Sequence, residues 1–217
     1  MSDSPDWRSR ADFAAARARA GLRGALAYLT GQPNRLMVFD EVKEKLRLGG
    51  PIYRGVRSVE IARIRGSVDR YRDFDRAFLP MTARTAERWM KVNRAWYDDL
   101  GLPPILLYKV GDVYFVVDGH HRVSVAREQG RATIEAEVRE CAVRVPLTAD
   151  LEPGQLEVLG ERVEFLERTG LDRLLPEANV VVTILGGYDR VLEHIAVHRY
   201  FMGLEWRRDI AEADAVL

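Results

Sequence analysis

The chain has 217 residues, 47% apolar and 30% charged, which is the balance of a globular protein with enough chain for a core of its own. Its single cysteine, Cys141, excludes an internal disulfide and a multi-cysteine zinc site and points to a reducing compartment. The 33 basic residues are matched by 33 acidic ones, a balance that argues against a dedicated nonspecific DNA binder, whose charge is ordinarily basic.

In chain order, residues 9–30 (SRADFAAARARAGLRGALAYLT) place apolar residues near helical spacing, and Gly31 and Pro33 close that helix. A shorter helix is predicted over residues 39–48, stopped by Gly49-Gly50-Pro51. Residues 57–64, with Val59, Ile61 and Ile64, read as one strand. The stretch 66–80 (GSVDRYRDFDRAFLP) lacks a clean period and mixes arginines, aspartates and aromatics, as a functional loop or short helix would. Thr82 can cap a helix reaching about residue 99, with Ala86, Trp89, Met90, Ala95 and Trp96 on its apolar face.

Residues 105–108 and 114–117 are short apolar strands around a Val110-Gly111-Asp112 turn, hence a hairpin. Asp118-Gly119 breaks the second strand, and a helix is predicted from about residue 121 to 129, ended by Gly130. A strand over 133–145, a helix over 155–168, a strand over 179–185 and a helix over 188–203 complete the pattern. Strands and helices mixed through hairpin connections define an α+β fold. The aromatics Trp89, Trp96, Tyr97 and Phe115 are read as core, while Phe74 and Phe78 suit either the anchoring of their own loop or the wall of a base-binding cleft.

No apolar run approaches the roughly 18 residues that a membrane span needs. Residues 1–10 are polar and charged, unlike a secretory signal. A cytoplasmic protein with no membrane partner is the expectation. Charge is unevenly spread along the chain: residues 54–94 hold 11 basic and five acidic side chains, and residues 135–177 reverse those numbers. Solvated helix faces account for most of these charges, and a surface built for an anion is the alternative.

The densest chemistry lies in YFVVDGHHRVSVAREQG, residues 114–130, where a strand, a glycine turn and a helix follow within a few residues. The first amides of a helix have no carbonyl partner inside it, and with the helix dipole they favour an anion by about 0.3–2 kcal/mol. Gly119 would let a phosphate approach the backbone, Arg122 offers a fork for two phosphate oxygens, and His120 and His121 add imidazole donors. Asp118 repels an anion, so its roles would be to hold magnesium or a histidine, or to accept a proton. The alternative is a structural turn in which Asp118 caps the helix, Gly119 serves the bend and Arg122 pairs with an acid.

This segment resembles the second conserved box of the ParB N-terminal domain, a Gly-x-x-Arg followed by a helix. It is also similar to the Gly-Cys-His-Arg turn of sulfiredoxin and to the Asp-Gly-His-His-Arg turn of archaeal free-serine kinases. Ile64 with Gly66-Ser67-Val68-Asp69-Arg70 resembles the first ParB box, and Pro103-Pro104-Ile105 the Pro-Ile that opens the next strand. LEHIAVHRYFMGLE and GSVDRYRDFDRAFLP are similar to an uncharacterised bacterial group of ParB-like proteins.

The resemblance implies a ParB/sulfiredoxin-like mixed sheet with flanking helices over 56–145, an N-terminal helical segment over 1–55 and a C-terminal α/β extension over 146–217. It implies phosphate or nucleotide binding by Gly119, His120, His121 and Arg122, with Arg70 as a second arginine ligand. ATP, ADP or CTP with magnesium would be the ligand, and phosphoryl transfer or nucleotide hydrolysis the chemistry of an enzyme of this kind, with Asp118 and His120 catalytic. Glu60 and Asp118 are the candidates for a general base. His120 stands where sulfiredoxin has its catalytic cysteine, so that reaction is not expected. No helix-turn-helix pattern follows residue 145, so assembly on a specific DNA site is not expected either. A DNA-binding or nuclease module, using the same residues on a backbone phosphate, and a regulatory module without chemistry are the rival readings.

His194 and His198 lie four apart on a predicted helix and so share a face. That spacing can chelate zinc, but with no third ligand in sight no metal site is expected, and core packing or a subunit interface of a homodimer is the simpler use. Gly186-Gly187 ahead of this helix resembles a second anion turn, and a plain hinge between strand and helix is the simpler reading.

Overall fold

The computed structural model describes residues 5–149, 151 and 154–216. The chain forms two compact units, Met1–Lys43 with Leu48–Ala149, and Glu44–Arg47 with Asp150–Leu217. No helix among the described residues is long and apolar enough to cross a membrane.

The first unit opens with α1 (Pro5–Thr30), followed by β1 (Met37–Val38), α2 (Phe39–Lys45) and β2 (Pro51–Glu60). A 3-10 turn leads to β3 (Ile64–Ser67), then α3 (Ala86–Tyr97), β4 (Ile105–Val110), β5 (Val113–Asp118), α4 (His120–Glu128) and β6 (Thr133–Cys141). One six-stranded mixed sheet has the order β1-β3-β5-β4-β6-β2. β3 runs parallel to β1 and β5, β4 pairs antiparallel with β5 and parallel with β6, and β2 closes the far edge antiparallel to β6. The α+β expectation is met.

The predicted single strand over 57–64 is in fact two strands separated by the 3-10 turn Ile61–Arg63, and they sit in different parts of the sheet. Arg127 holds this break: its guanidinium donates to the carbonyls of Ile61 and Ile64 at 2.9 and 2.7 Å and lies over the Phe78 ring. Burial pushes Arg127 down to about 10, still charged at neutral pH. β2 starts six residues earlier than the pattern indicates because it follows the long β6, with a bulge between Tyr53 and Val56. An edge strand exposed on nearly every residue shows no alternation to read.

The core joins the sheet to α1, α3 and α4. Phe74, Phe78, Trp89, Ile105, Leu107 and Val116 are fully covered or nearly so, each contributing about 1.5–3 kcal/mol by burial. Phe13 of α1 meets Trp89 at 5.6 Å between ring centroids, and the Trp89 indole N–H donates to Ser124 Oγ at 2.8 Å. Phe74 and Phe78 are therefore core and loop anchors, with no face open to a base. Tyr97, expected inside, is exposed and donates to Asp12. Thr82 does not cap α3. A 3-10 turn (Ala83–Thr85) precedes that helix, and the buried Thr82 hydroxyl has no partner.

The second unit holds α5 (Gln155–Thr169), α6 (Leu171–Leu174), α7 (Gly187–Trp206) and α8 (Glu212–Val216). Phe165 packs on Tyr188 at 5.3 Å between centroids. The predicted strand over 179–185 is not a strand, and the described residues of this unit contain none, so the extension is helical rather than α/β. Its valines extend beside the Tyr188 hydroxyl, which donates to the Val180 carbonyl and accepts from the Val182 amide at 3.1 Å each. A side chain thus takes the hydrogen bonds that a neighbouring strand would have supplied.

Candidate functional site

β3 and β5 run parallel, so their C-terminal ends emerge side by side, Ser67 level with Val116. The loop after β3 and the start of α4 therefore share one end of the sheet, the position at which α/β sheets commonly take ligands. Gly119 makes the turn at φ 100°, and its carbonyl accepts the first helical bond, from Val123 N–H at 3.0 Å.

His120 is 3% exposed, and its Nε2 lies 2.7 Å from Ser67 Oγ. Ser67 Oγ already accepts the Arg70 amide at 3.0 Å. With one donor and two lone pairs, the hydroxyl can hold the Arg70 amide and His120 Nε2 at the same time. Asp69 Oδ1 lies 3.7 Å from the same Nε2. Phe74 stacks on the His120 ring at 6.2 Å and 16°, and meets His121 edge-on at 5.4 Å and 72°.

Burial pushes both imidazoles down to about 4; Asp69 partly offsets this at His120, while Arg70, His120 and Arg88 reinforce it at His121. Both histidines are neutral at pH 7. The two ring nitrogens of His121 are buried and have no hydrogen-bond partner, an arrangement that costs about 1–3 kcal/mol per unmet group.

The expected ligands divide here. Arg70 stands by the histidine pair, with its Nη1 3.5 Å from Asp73 Oδ2. Arg122 is committed to the protein: it donates to the carbonyls of Pro103 and Pro104 and pairs with Asp118 at 2.6 Å. That places Arg122 and Asp118 in the structural turn rather than on a ligand, with Arg122 pinning α4 to the entrance of β4. Gly119, expected to make room for a phosphate, makes room for Ile105 instead; an added Cβ would lie 2.3 Å from Ile105 Cγ2. Glu60 pairs with Arg63 on the surface at 3.2 Å, away from this cluster.

Four participants were not picked out from the sequence. Ser67, Asp69 and Asp73 lie in the aperiodic GSVDRYRDFDRAFLP stretch, whose odd composition was the available signal. Asp73 is buried and held by Arg84, whose Nε donates to it at 3.0 Å. Arg88, felt by His121, is an exposed charge on α3 that no local pattern marks. Next to this site a cleft of about 330 Å³ opens between the 98–104 loop and the start of β6. It is lined by Trp96, Asp99, Leu102, Arg122, Arg131 and Glu135, and the Arg131 guanidinium lies 4.9 Å over the Trp96 ring. Arg122, two residues along α4 from His120, is the residue of that helix that lines the cleft.

Among the described residues no three His, Cys, Asp or Glu side chains gather to hold a metal. His194 and His198 are both exposed on α7, so neither is a core histidine. No family model, no curated protein and no solved structure matches the chain.

Proposed function

We propose that the chain binds a nucleotide, its phosphate at the start of α4 and its nucleoside in the adjoining cleft. The observation that carries this reading is His121. A neutral imidazole with both nitrogens orphaned stands at a helix N-terminus, in the positive field of Arg70 and Arg88. A phosphate oxygen there would accept from the leading amides of α4 and, once the side chains now covering His121 move aside, from its imidazole, and the two guanidinium groups would offset its charge. Magnesium would arrive on the nucleotide's own phosphates, with Asp69, felt by His120, the carboxylate at hand. The cleft volume of about 330 Å³ lies at the lower end of small-molecule sites, and the Arg131–Trp96 stack offers a planar group on which a base can lie.

The reading is one of binding. Phosphoryl transfer would add a demand for a general base, and Asp118, tied to Arg122, is not free to be one. The DNA-binding alternative leans on the arginines of 54–94. Arg54, Arg63, Arg84 and Arg94 each already hold a carboxylate, which leaves less uncommitted positive charge for a duplex.

Calorimetric titration of ATP, ADP and CTP, with and without magnesium, tests the proposal. Wild type binds at least one of them, and Arg70→Ala weakens that binding by about tenfold, the loss of one charged contact of roughly 1.4 kcal/mol. No binding by wild type, or equal binding by Arg70→Ala, ends it. Binding of duplex DNA that collapses as salt rises, without nucleotide binding, would favour the rival.

A further inference from the structure

We propose that α7 pairs antiparallel with α7 of a second copy of this chain, making a two-fold homodimer. The helix has two unlike faces. Tyr188 and Leu192 are buried on the inner one, and Arg199 donates from it to the Ile210 carbonyl at 2.7 Å. At 100° per residue, Val197, Tyr200, Phe201 and Leu204 fall on the opposite side in a stripe about 100° wide. They are 54, 63, 61 and 58% exposed. Four large apolar side chains contiguous on one helix face are the mark of a surface that another protein covers.

The ends of the stripe identify the occupant. Glu193, Val197, Tyr200 and Leu204 follow the alternating four–three spacing of a helix–helix seam, and Arg207, the left-handed residue at φ 51° that ends α7, stands just past the last of them. Glu193 and Arg207 each stand seven residues from Tyr200, on opposite sides of it. Two such helices running antiparallel with Tyr200 at the two-fold axis set Glu193 of each against Arg207 of the other, and Val197 beside Leu204. The apolar seam is closed at both ends by unlike charges, and the patch is its own complement, as a two-fold interface requires. Neither Glu193 nor Arg207 has a partner among the described residues.

α1 supplies the contrast. Its Leu22, Leu26 and Leu29 also form an exposed stripe, but the charges beside it, Arg19 and Arg23, are both basic and already hold Glu128 and Asp75. An antiparallel self-pair there would set like charges together, so α1 does not carry the same proposal.

Sedimentation equilibrium on the full chain tests this without reference to any ligand. Wild type is dimeric at about 100 μM, and Leu204→Glu weakens the dimer at least tenfold, as burying a lone carboxylate in a seam demands. Glu193→Arg and Arg207→Glu each weaken it, by about threefold to tenfold, and the double reversal regains most of the loss. A monomeric wild type overturns the proposal, as does a dimer indifferent to Leu204→Glu. Should Leu204→Glu unfold, the charge reversals at exposed positions decide alone. A double reversal no tighter than the single variants rules out the antiparallel register and overturns the proposal.

Discussion

In the first unit Ser67, Asp73, Asp75, Asn93, His120 and Ser124 are buried, as are the bulkiest aromatics, Trp89, Phe74, Phe78 and Phe115. In the second, α7 buries Tyr188 and Leu192 but turns Val197, Tyr200, Phe201 and Leu204 outward. The first has taken polar groups into its interior and nearly all are matched: Asp75 accepts two amides at 2.8 Å, and Asn93 bridges Asp12 and Gln129. The second leaves apolar surface uncovered. The first unit exposes leucines too, on α1, so what separates the units is an orphaned imidazole in one and an exposed helix face with unlike charges at its ends in the other, and these point to different partners, a small polar ligand and a protein.

The sharpest way to break this comparison is to disturb the packed turn at Gly119. Alanine there meets both a backbone φ of 100° and an Ile105 methyl at 2.3 Å, and Arg122 would be pushed off its carbonyls. Gly119→Ala should lose about 3–4 kcal/mol of stability, strain and overpacking together, measured by chemical denaturation. A loss below about 1 kcal/mol would mean the turn is soft and the buried cluster behind it is not a fixed site.

Acid is a perturbation of comparable size. Unfolded histidines take protons near 6.5, while His120 and His121 in the native fold do so only near 4. Between those values the unfolded chain binds more protons, so stability falls as pH falls from 6.5 towards 4, and no further loss comes from this pair below it. The drop should be on the order of 3–6 kcal/mol for the pair, the lower end allowing for solvent reaching part of His121. Comparing wild type with a His120→Gln, His121→Gln variant isolates it from the carboxylates. Parallel stability curves for the two proteins over that range would show that the imidazoles titrate freely.

The same contrast explains what could be read from the sequence. The hairpin and the helix after it were legible because β4, β5 and α4 are contiguous, have clear apolar periods and end in glycine turns; each is found within two residues of its expected place. The site was half legible. His120, His121 and Arg70 come together, but the partner of Arg122 is a pair of proline carbonyls, and carbonyls have no sequence signature. Residues 179–185 mislead for the opposite reason: Val180–Val182 have strand composition, yet strand pairing depends on a neighbour that local pattern cannot supply.

A smaller effect is expected inside the first unit at Ser124→Ala. The Trp89 indole would lose its acceptor while remaining fully buried, costing about 1–2 kcal/mol for one orphaned donor. Near-UV circular dichroism and denaturation would report it. No change in either would mean the indole N–H has another acceptor and that polar groups in this interior are interchangeable.

The smallest effect belongs to the second unit. Leu204→Glu places a charge where the side chain is already 58% exposed, on the face of α7 turned away from Tyr188 and Leu192. Leucine and glutamate have nearly equal helix propensity, so the backbone gives no reason for a change. Measured by denaturation at about 0.1 μM, where a dimer of ordinary affinity has come apart, stability should stay within about 0.5 kcal/mol of wild type. At about 100 μM the two proteins should separate, because only the wild type is then stabilised by self-association. A loss of several kcal/mol at low concentration would place Leu204 inside the monomer's own packing, and the contrast between a satisfied unit and an uncovered one would fail at its second half.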